Sequence, residues 1–173
     1  MNAVLPGAAS RANSLTLAPP GRRDGAALYE LIAASPPLDL NSRYAYLLLC
    51  EHHAGTSVVA RNGDTLVGAI TAYAPPAQSD TLFIWQVAVA ASMRGQGLAT
   101  QMLEHLLQRC AGTQRLRWME TTISPSNTAS HGLFSRFATQ HQVACNITTL
   151  FEVDDFGASG HEKECLYRLG PWP

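Results

Sequence analysis

WQVAVAASMRGQGLATQML, residues 85–103, joins an apolar strand to an amphipathic helix through a loop that carries two glycines. Upstream, the strand reaches back to Thr81 (TLFIWQVAV, 81–89), a nearly uninterrupted apolar run of the kind that forms a central strand covered on both faces. Downstream, Leu98, Met102, Leu103, Leu106, Leu107 and Cys110 recur at offsets 0, 4, 5, 8, 9 and 12, which makes one stripe on a helix. Gly95 and Gly97 at the helix entrance let the backbone approach a ligand closely and aim its free N–H groups outward, where the helix dipole adds a positive end. That combination favours a pyrophosphate, with Arg94 available to supplement the charge.

Other phosphate motifs do not fit. The run Gly95-x-Gly97-x-x-Thr100 lacks the third glycine of a dinucleotide fingerprint, and no Lys-[Ser/Thr] pair follows Gly97 as a P-loop requires. A plain tight turn between strand and helix stays open beside the phosphate reading.

Working outward, Leu15–Ala18 reads as a short strand closed by Pro19, Pro20 and Gly21, and Asp24 as the N-cap of a helix over 25–34. A second helix is expected from about Asn41 to His53. Ser57–Ala60 and Leu66–Tyr73 flank the turn residues Asn62, Gly63 and Asp64 and read as a hairpin. After the 98–110 helix come a strand at Trp118–Ile123, a helix capped by Ser124 or Ser126, and two strands near Val143–Phe151 and Glu164–Leu169 joined by DDFGASGHE. The order β, α, α, β, β, β, α, β, α, β, β predicts an α/β (α+β) fold: a mixed sheet of about seven strands flanked by about four helices. Residues 1–14 read as a loose tail and 15–173 as one domain.

Composition narrows the class. The 173 residues carry a formal net charge of −1, and no basic run exceeds Arg22-Arg23, so nucleic-acid binding is not expected. Cys50, Cys110, Cys145 and Cys165 are too dispersed for a zinc site and are expected as buried, reduced thiols. No metal is called for. No apolar stretch approaches a membrane span, and a cytosolic protein is expected.

Arg94, Gly97 and Ala99 fit the pattern [Q/R]-x-x-G-x-[G/A], and in this the segment resembles the GNAT superfamily of acetyltransferases, as does the order of elements over about residues 15–169. The resemblance implies a splayed strand pair holding acetyl-CoA, with Val87, Ala88, Val89, Arg94, Gly95, Gln96, Gly97, Leu98, Ala99, Thr100, Asn127 and Phe134 at the cofactor. Phe134 stands where many members carry a tyrosine that protonates the leaving thiolate, which leaves that acid unassigned. It also prompts a second reading, an acyl-CoA sensor without turnover.

The blocks PPLDLNSRYAYLLLCEHHAGTSVVA, DTLFIWQVAV, ETTISPSNTASHGLF and HEKECLYRLG are similar to one branch of the superfamily, the L-2,4-diaminobutyrate acetyltransferases of ectoine biosynthesis. This implies acetylation of the 4-amino group of a small diamine by a homodimer. Modification of protein amino groups is the alternative.

A thioester is already activated, so the chemistry needs alignment, an oxyanion donor such as the backbone N–H groups of Val87–Val89, and removal of a proton from an ammonium that titrates near 10. Candidate proton acceptors are Glu162 and Glu120, with Asp39 and Glu164 beside them. Asp39, Tyr44, Trp85, Thr121, Thr122 and Glu164 are the candidate substrate contacts. Asp39 can pair an ammonium or cap the second helix. Trp85, two residues before Val87, is expected on the same face of its strand. One of Thr121 and Thr122 should face the cleft. His161 reads as a surface residue.

Overall fold

Along β4 (Thr81–Val89) the ladder to β5 (Trp118–Ile123) runs parallel and stops early: Thr81–Ile84 pair with Trp118–Thr121, and no rung follows. The two strands therefore diverge at the point where the sequence demands a ligand. In the computed structural model, which describes residues 15–113 and 116–172, these strands lie at the centre of a seven-stranded sheet. The remaining strands are β1 (Leu15–Ala18), β2 (Val58–Asn62), β3 (Thr65–Tyr73), β6 (Ala144–Phe151) and β7 (Glu164–Gly170). The sheet order is β1-β2-β3-β4-β5-β7-β6, and every neighbouring pair except β4/β5 is antiparallel. The reading of residues 1–14 as a tail lies outside the described residues.

Each face of the sheet carries two helices. α1 (Gly25–Ala33) and α2 (Arg43–His52) bury Leu28, Ile32, Tyr46 and Leu49 against Val59, Ala69 and Ala88. α3 (Leu98–Thr113) and α4 (Thr128–Gln140) cover the opposite face. The stripe Leu98, Met102, Leu103, Leu106, Leu107 and Cys110 is buried throughout, with Phe134 and Phe137 of α4 in the same core. At roughly 1.5–3 kcal/mol for each large apolar side chain removed from water, this stripe is the main force holding α3 to the sheet.

Helix entrances differ from the caps expected of them. Asp24 precedes α1 without bonding its N–H groups, because its carboxylate accepts from Gly21 N–H at 2.7 Å and pairs with Arg61 of β2. Asp39 does not cap α2: the helix starts later, with the Ser42 hydroxyl accepting from Ala45 N–H at 3.2 Å. α4 is capped by Asn127, whose side chain accepts from Ser130 N–H at 3.1 Å, and by neither Ser124 nor Ser126. In each case a partner distant in sequence, or a residue nearer the first turn, wins the bond. Of the four free thiols, Cys50 and Cys110 are buried, while Cys145 and Cys165 are only partly so, because β6 at the sheet edge leaves their neighbourhood open.

β4 does not alternate simply. Its register against β3 slips between Thr71↔Gln86 and Ala72↔Ile84, which leaves Trp85 as an extra residue. Leu82 and Ile84 face α3 and α4, and after the slip Val87 and Val89 do so too, while Ala88 packs with α1 and α2. Trp85 and Val87 consequently lie on opposite faces, against the simple alternation expected of them. A bulge places two successive residues where one belongs and shifts every later side chain.

Candidate active site

Two clefts meet where β4 and β5 part. The larger, about 580 Å³, is lined by Val87–Val89, Arg94, Gly95, Gly97–Thr100, Asn127, Leu133 and Arg136. Gly95 and Gly97 have φ of 74° and 76°, a conformation that side chains resist, and a β-carbon on either would meet nothing within 4 Å among the described residues. The loop therefore needs glycine for its backbone path and opens onto free space. Arg94 donates from Nε to the Val89 carbonyl at 3.0 Å, which fixes its stem beside the strand, and Arg136 adds a second cation from α4. Helix N-terminus, two guanidinium groups and bare loop amides suit a diphosphate. Beyond Ile84 the β5 side of β4 has no strand partner, so the backbone at Gln86–Val89 can pair with an extended amide-bearing arm.

Two expected cofactor contacts lie elsewhere. Gln96 turns back to donate to the Ser92 carbonyl at 3.0 Å and does not line the cleft. Phe134, only 1% exposed, points into the core beneath α4, since an aromatic ring without a hydroxyl gains more from burial than from a polar cleft. Sequence reasoning missed Arg136, although its position three residues after Leu133 puts it on the same face of α4.

The smaller cleft, about 240 Å³, shares Pro37, Leu38 and Asn127 with the first and is otherwise lined by Asp39, Trp85, Gln86, Thr122, Ile123, Ser124, Phe151, Phe156, His161 and Glu164. Alternation on β5 turns Thr122 into it, whereas Thr121 is buried on the core face beside Met119 and Ile123. Burial pushes the Glu164 carboxyl above its usual range, against a hydrogen bond from the Thr122 hydroxyl and the charge of His161, which pull it down. Asp39 is held by its backbone: Gln86 Nε2 donates to its carbonyl at 2.6 Å, and the buried Tyr46 hydroxyl donates to Gln86 Oε1 at 3.3 Å. This Gln86–Tyr46 support was not anticipated, and Tyr44, the residue expected here, is 67% exposed and outside the cleft.

His161 remains partly exposed, and it also lines the smaller cleft. It stacks on Phe156 at 4.0 Å between ring centroids, and its Nε2 lies 3.2 Å from Asp39 Oδ2. The Glu162 carbonyl that accepts from its Nδ1, and then Asp39, raise its pKa above the ordinary histidine value. The loop 152–163 folds inward because Phe151 and Phe156 pack edge to face, which the sequence pattern did not disclose.

Both carboxylates expected as proton acceptors sit outside this cleft. Glu162 accepts from Ser126 N–H at 3.0 Å and so guards the entrance of α4. Glu120, 5% exposed, pairs with Arg168, its register partner on β7, at 2.8 Å, and the guanidinium lies over Trp118. Replacing Arg168 by leucine leaves that carboxylate unpaired. We expect a loss of about 2 kcal/mol in urea unfolding, below the usual penalty for a broken buried pair because the arginine is partly solvated.

Residues 25–138 match the sequence profile of the Acetyltransferase (GNAT) family. The chain belongs to the GNAT acetyltransferase family. This GNAT acetyltransferase is 46% identical over 157 residues to the L-2,4-diaminobutyric acid acetyltransferase of Shouchella clausii, covering 91% of this chain and 87% of that one. It is 48% identical over 153 residues to the protein of the same name from Streptomyces avermitilis, covering 88% and 86%. Among solved structures it is similar to the diaminobutyrate acetyltransferase EctA from Paenibacillus lautus, a complex with its substrate L-2,4-diaminobutyric acid and coenzyme A: TM-score 0.87, 38% identity, 92% of this chain and 96% of that one. The open seven-stranded sheet and the splayed β4/β5 pair are the GNAT fold expected of the sequence.

Proposed function

We propose that this protein transfers the acetyl group of acetyl-CoA to the 4-amino group of L-2,4-diaminobutyrate, the acetylation step of ectoine formation. The observation that carries the reading is the junction of the two clefts at Asn127: a phosphate-binding entrance leads along an unpaired strand edge to a small cleft with two carboxylates, Asp39 and Glu164. A diamine with one carboxylate needs that arrangement. Asp39 and Glu164 take its ammonium groups, the Thr122 hydroxyl holds Glu164 in place for this, and Trp85 walls the cleft and offers its ring face to a cation. The thioester lies along Val87–Val89, whose N–H groups receive the developing oxyanion. The relatives at 46% and 48% identity carry the same substrate in their names, which supports the small-diamine reading over protein amino groups.

The reading extends to a cytosolic homodimer. Free thiols suit a reducing compartment. β6 is an edge strand that exposes Ile147, Leu150 and Phe151 together with its unpaired backbone, a self-complementary surface for a second copy.

Thiol release from acetyl-CoA tests the substrate. The rate constant kcat/KM for diaminobutyrate is expected to exceed that for ornithine or lysine by at least about 100-fold, since one or two extra methylenes misplace the amine by more than 1 Å in a cleft of this size. Equal rates on the three diamines would overturn the substrate assignment.

A further inference from the structure

The wall that the two clefts share is an irregular stretch of chain between α1 and α2. Residues 35–38 line the larger cleft and 37–39 the smaller, so one run passes from cofactor to diamine. Its first half is tied to α1: Ser35 N–H donates to the Ile32 carbonyl at 2.9 Å, and Leu38 N–H to the Ser35 carbonyl at 3.1 Å. Pro36 and Pro37 have no N–H to give, which leaves the run few bonds of its own. Its second half is tied to side chains. Gln86 Nε2 donates to the Asp39 carbonyl at 2.6 Å, and Asn41 N–H donates to the Tyr46 hydroxyl at 3.2 Å.

These bonds form one chain with a fixed direction. The Asn41 N–H takes a lone pair of the Tyr46 oxygen, the Tyr46 hydrogen goes to Gln86 Oε1 at 3.3 Å, and a Gln86 amide hydrogen goes to Asp39. Both linking side chains are buried, Tyr46 fully and Gln86 to 4% exposure, so a missing link leaves a polar group with no water to replace it. Gln86 also holds a special place on β4. It opens the stretch 86–89 whose β5 side has no strand partner, and it pairs with Thr71 just after the bulge at Trp85. Its backbone thus belongs to the edge that receives the thioester, while its amide end holds the wall that carries Asp39.

We propose that Gln86 is a positioning residue that sets the span between this wall and the thioester edge, and so selects the chain length of the acceptor, with Tyr46 keeping its amide in register. The inference rests on the function proposed above, in which Asp39 and Glu164 take the ammonium groups. One side chain of fixed length separates the strand edge from Asp39, and the hydrogen-bond chain stops that length from varying. A diamine held between Asp39 and Glu164 places its reacting nitrogen at the thioester only when its carbon chain matches the span. A further methylene moves that nitrogen by roughly 1 Å, enough to cost about 100-fold in rate. A wall released from Gln86 shifts to suit longer chains, and diaminobutyrate loses its alignment.

Steady-state kinetics with acetyl-CoA and either diaminobutyrate or ornithine tests this, because the ratio of the two kcat/KM values does not depend on how much of a variant is folded. In the wild type that ratio is expected to be at least about 100. Gln86→Met keeps the length and burial of the side chain and removes both hydrogen bonds. The ratio should then fall to about 10 or below, mostly through kcat for diaminobutyrate, with the affinity for CoA within about twofold of the parent. Tyr46→Phe, which leaves the bond from Gln86 to Asp39 in place, should move the ratio the same way by a smaller factor. Arg168→Leu loosens a pair outside both clefts and should keep the wild-type ratio. A fall of equal size in Arg168→Leu overturns the proposal, since the ratio would then report general loosening. A wild-type enzyme that treats the two diamines alike sinks the substrate reading and this inference with it; discrimination that survives in Gln86→Met sinks only the role of Gln86.

Discussion

Glu164→Gln lowers kcat/KM for diaminobutyrate by about 100-fold while leaving the affinity for CoA unchanged. The carboxylate lies in the smaller cleft, partly withdrawn from water, and the Thr122 hydroxyl fixes it there. An amide of the same shape keeps that hydrogen bond and loses the charge, so an ammonium brought to it is desolvated without compensation. Losing a charge-assisted contact in such a setting costs about 2–3 kcal/mol, which is the hundredfold stated. The pH dependence follows from the direction of the shift. Glu164 must be ionised to hold an ammonium, and burial raises its pKa, so substrate affinity falls with decreasing pH already above the ordinary glutamate range. In the glutamine variant this limb disappears from the profile of the diamine KM. Steady-state kinetics from pH 4.5 to about 8 separates the two enzymes.

The same reasoning shows where sequence was enough. The α3 stripe was legible because six apolar residues at helical offsets admit one face only, and the glycines before it because their spacing suits a turn at a helix entrance. α2 was less legible. In RYAYLLLCEH apolar residues occupy every side of the helix, so the run does not say which tyrosine turns inward. Tyr46 does, at full burial, and Tyr44 does not. Trp85 was assigned to a face by counting in twos, which fails at a bulge set by pairing with β3, where Ala72 meets Ile84 and Thr71 meets Gln86 across the hairpin. His161 escaped because its position depends on aromatic packing within an irregular loop. Glu120 and Glu162 were attractive as carboxylates near the cleft, yet a long-range arginine and a helix entrance claim them. Local pattern determines elements and their buried sides; partners remote in the chain decide which polar groups remain available for chemistry.

Gly97→Val raises the KM for acetyl-CoA by about 100-fold with a much smaller effect on folding. At φ of 76° a β-branched residue strains the backbone, and left-handed geometry costs an L-residue roughly 1–2 kcal/mol. Among the described residues nothing lies within 4 Å of the added β-carbon, so no packing is lost. That space belongs to the larger cleft at the N-terminus of α3, where loop amides and the guanidinium groups of Arg94 and Arg136 converge. Two methyl groups there push a diphosphate away from donors that act only at about 3 Å, and relief of strain by a backbone flip turns those amides aside. Both routes weaken cofactor binding. The diamine cleft shares Pro37, Leu38 and Asn127 with the larger one but takes no residue from this turn, so KM for diaminobutyrate at saturating acetyl-CoA should stay within about twofold. Chemical denaturation is expected to show a loss of about 1–2 kcal/mol. A variant that binds acetyl-CoA as the parent does would mean that the phosphates are held elsewhere than at this turn.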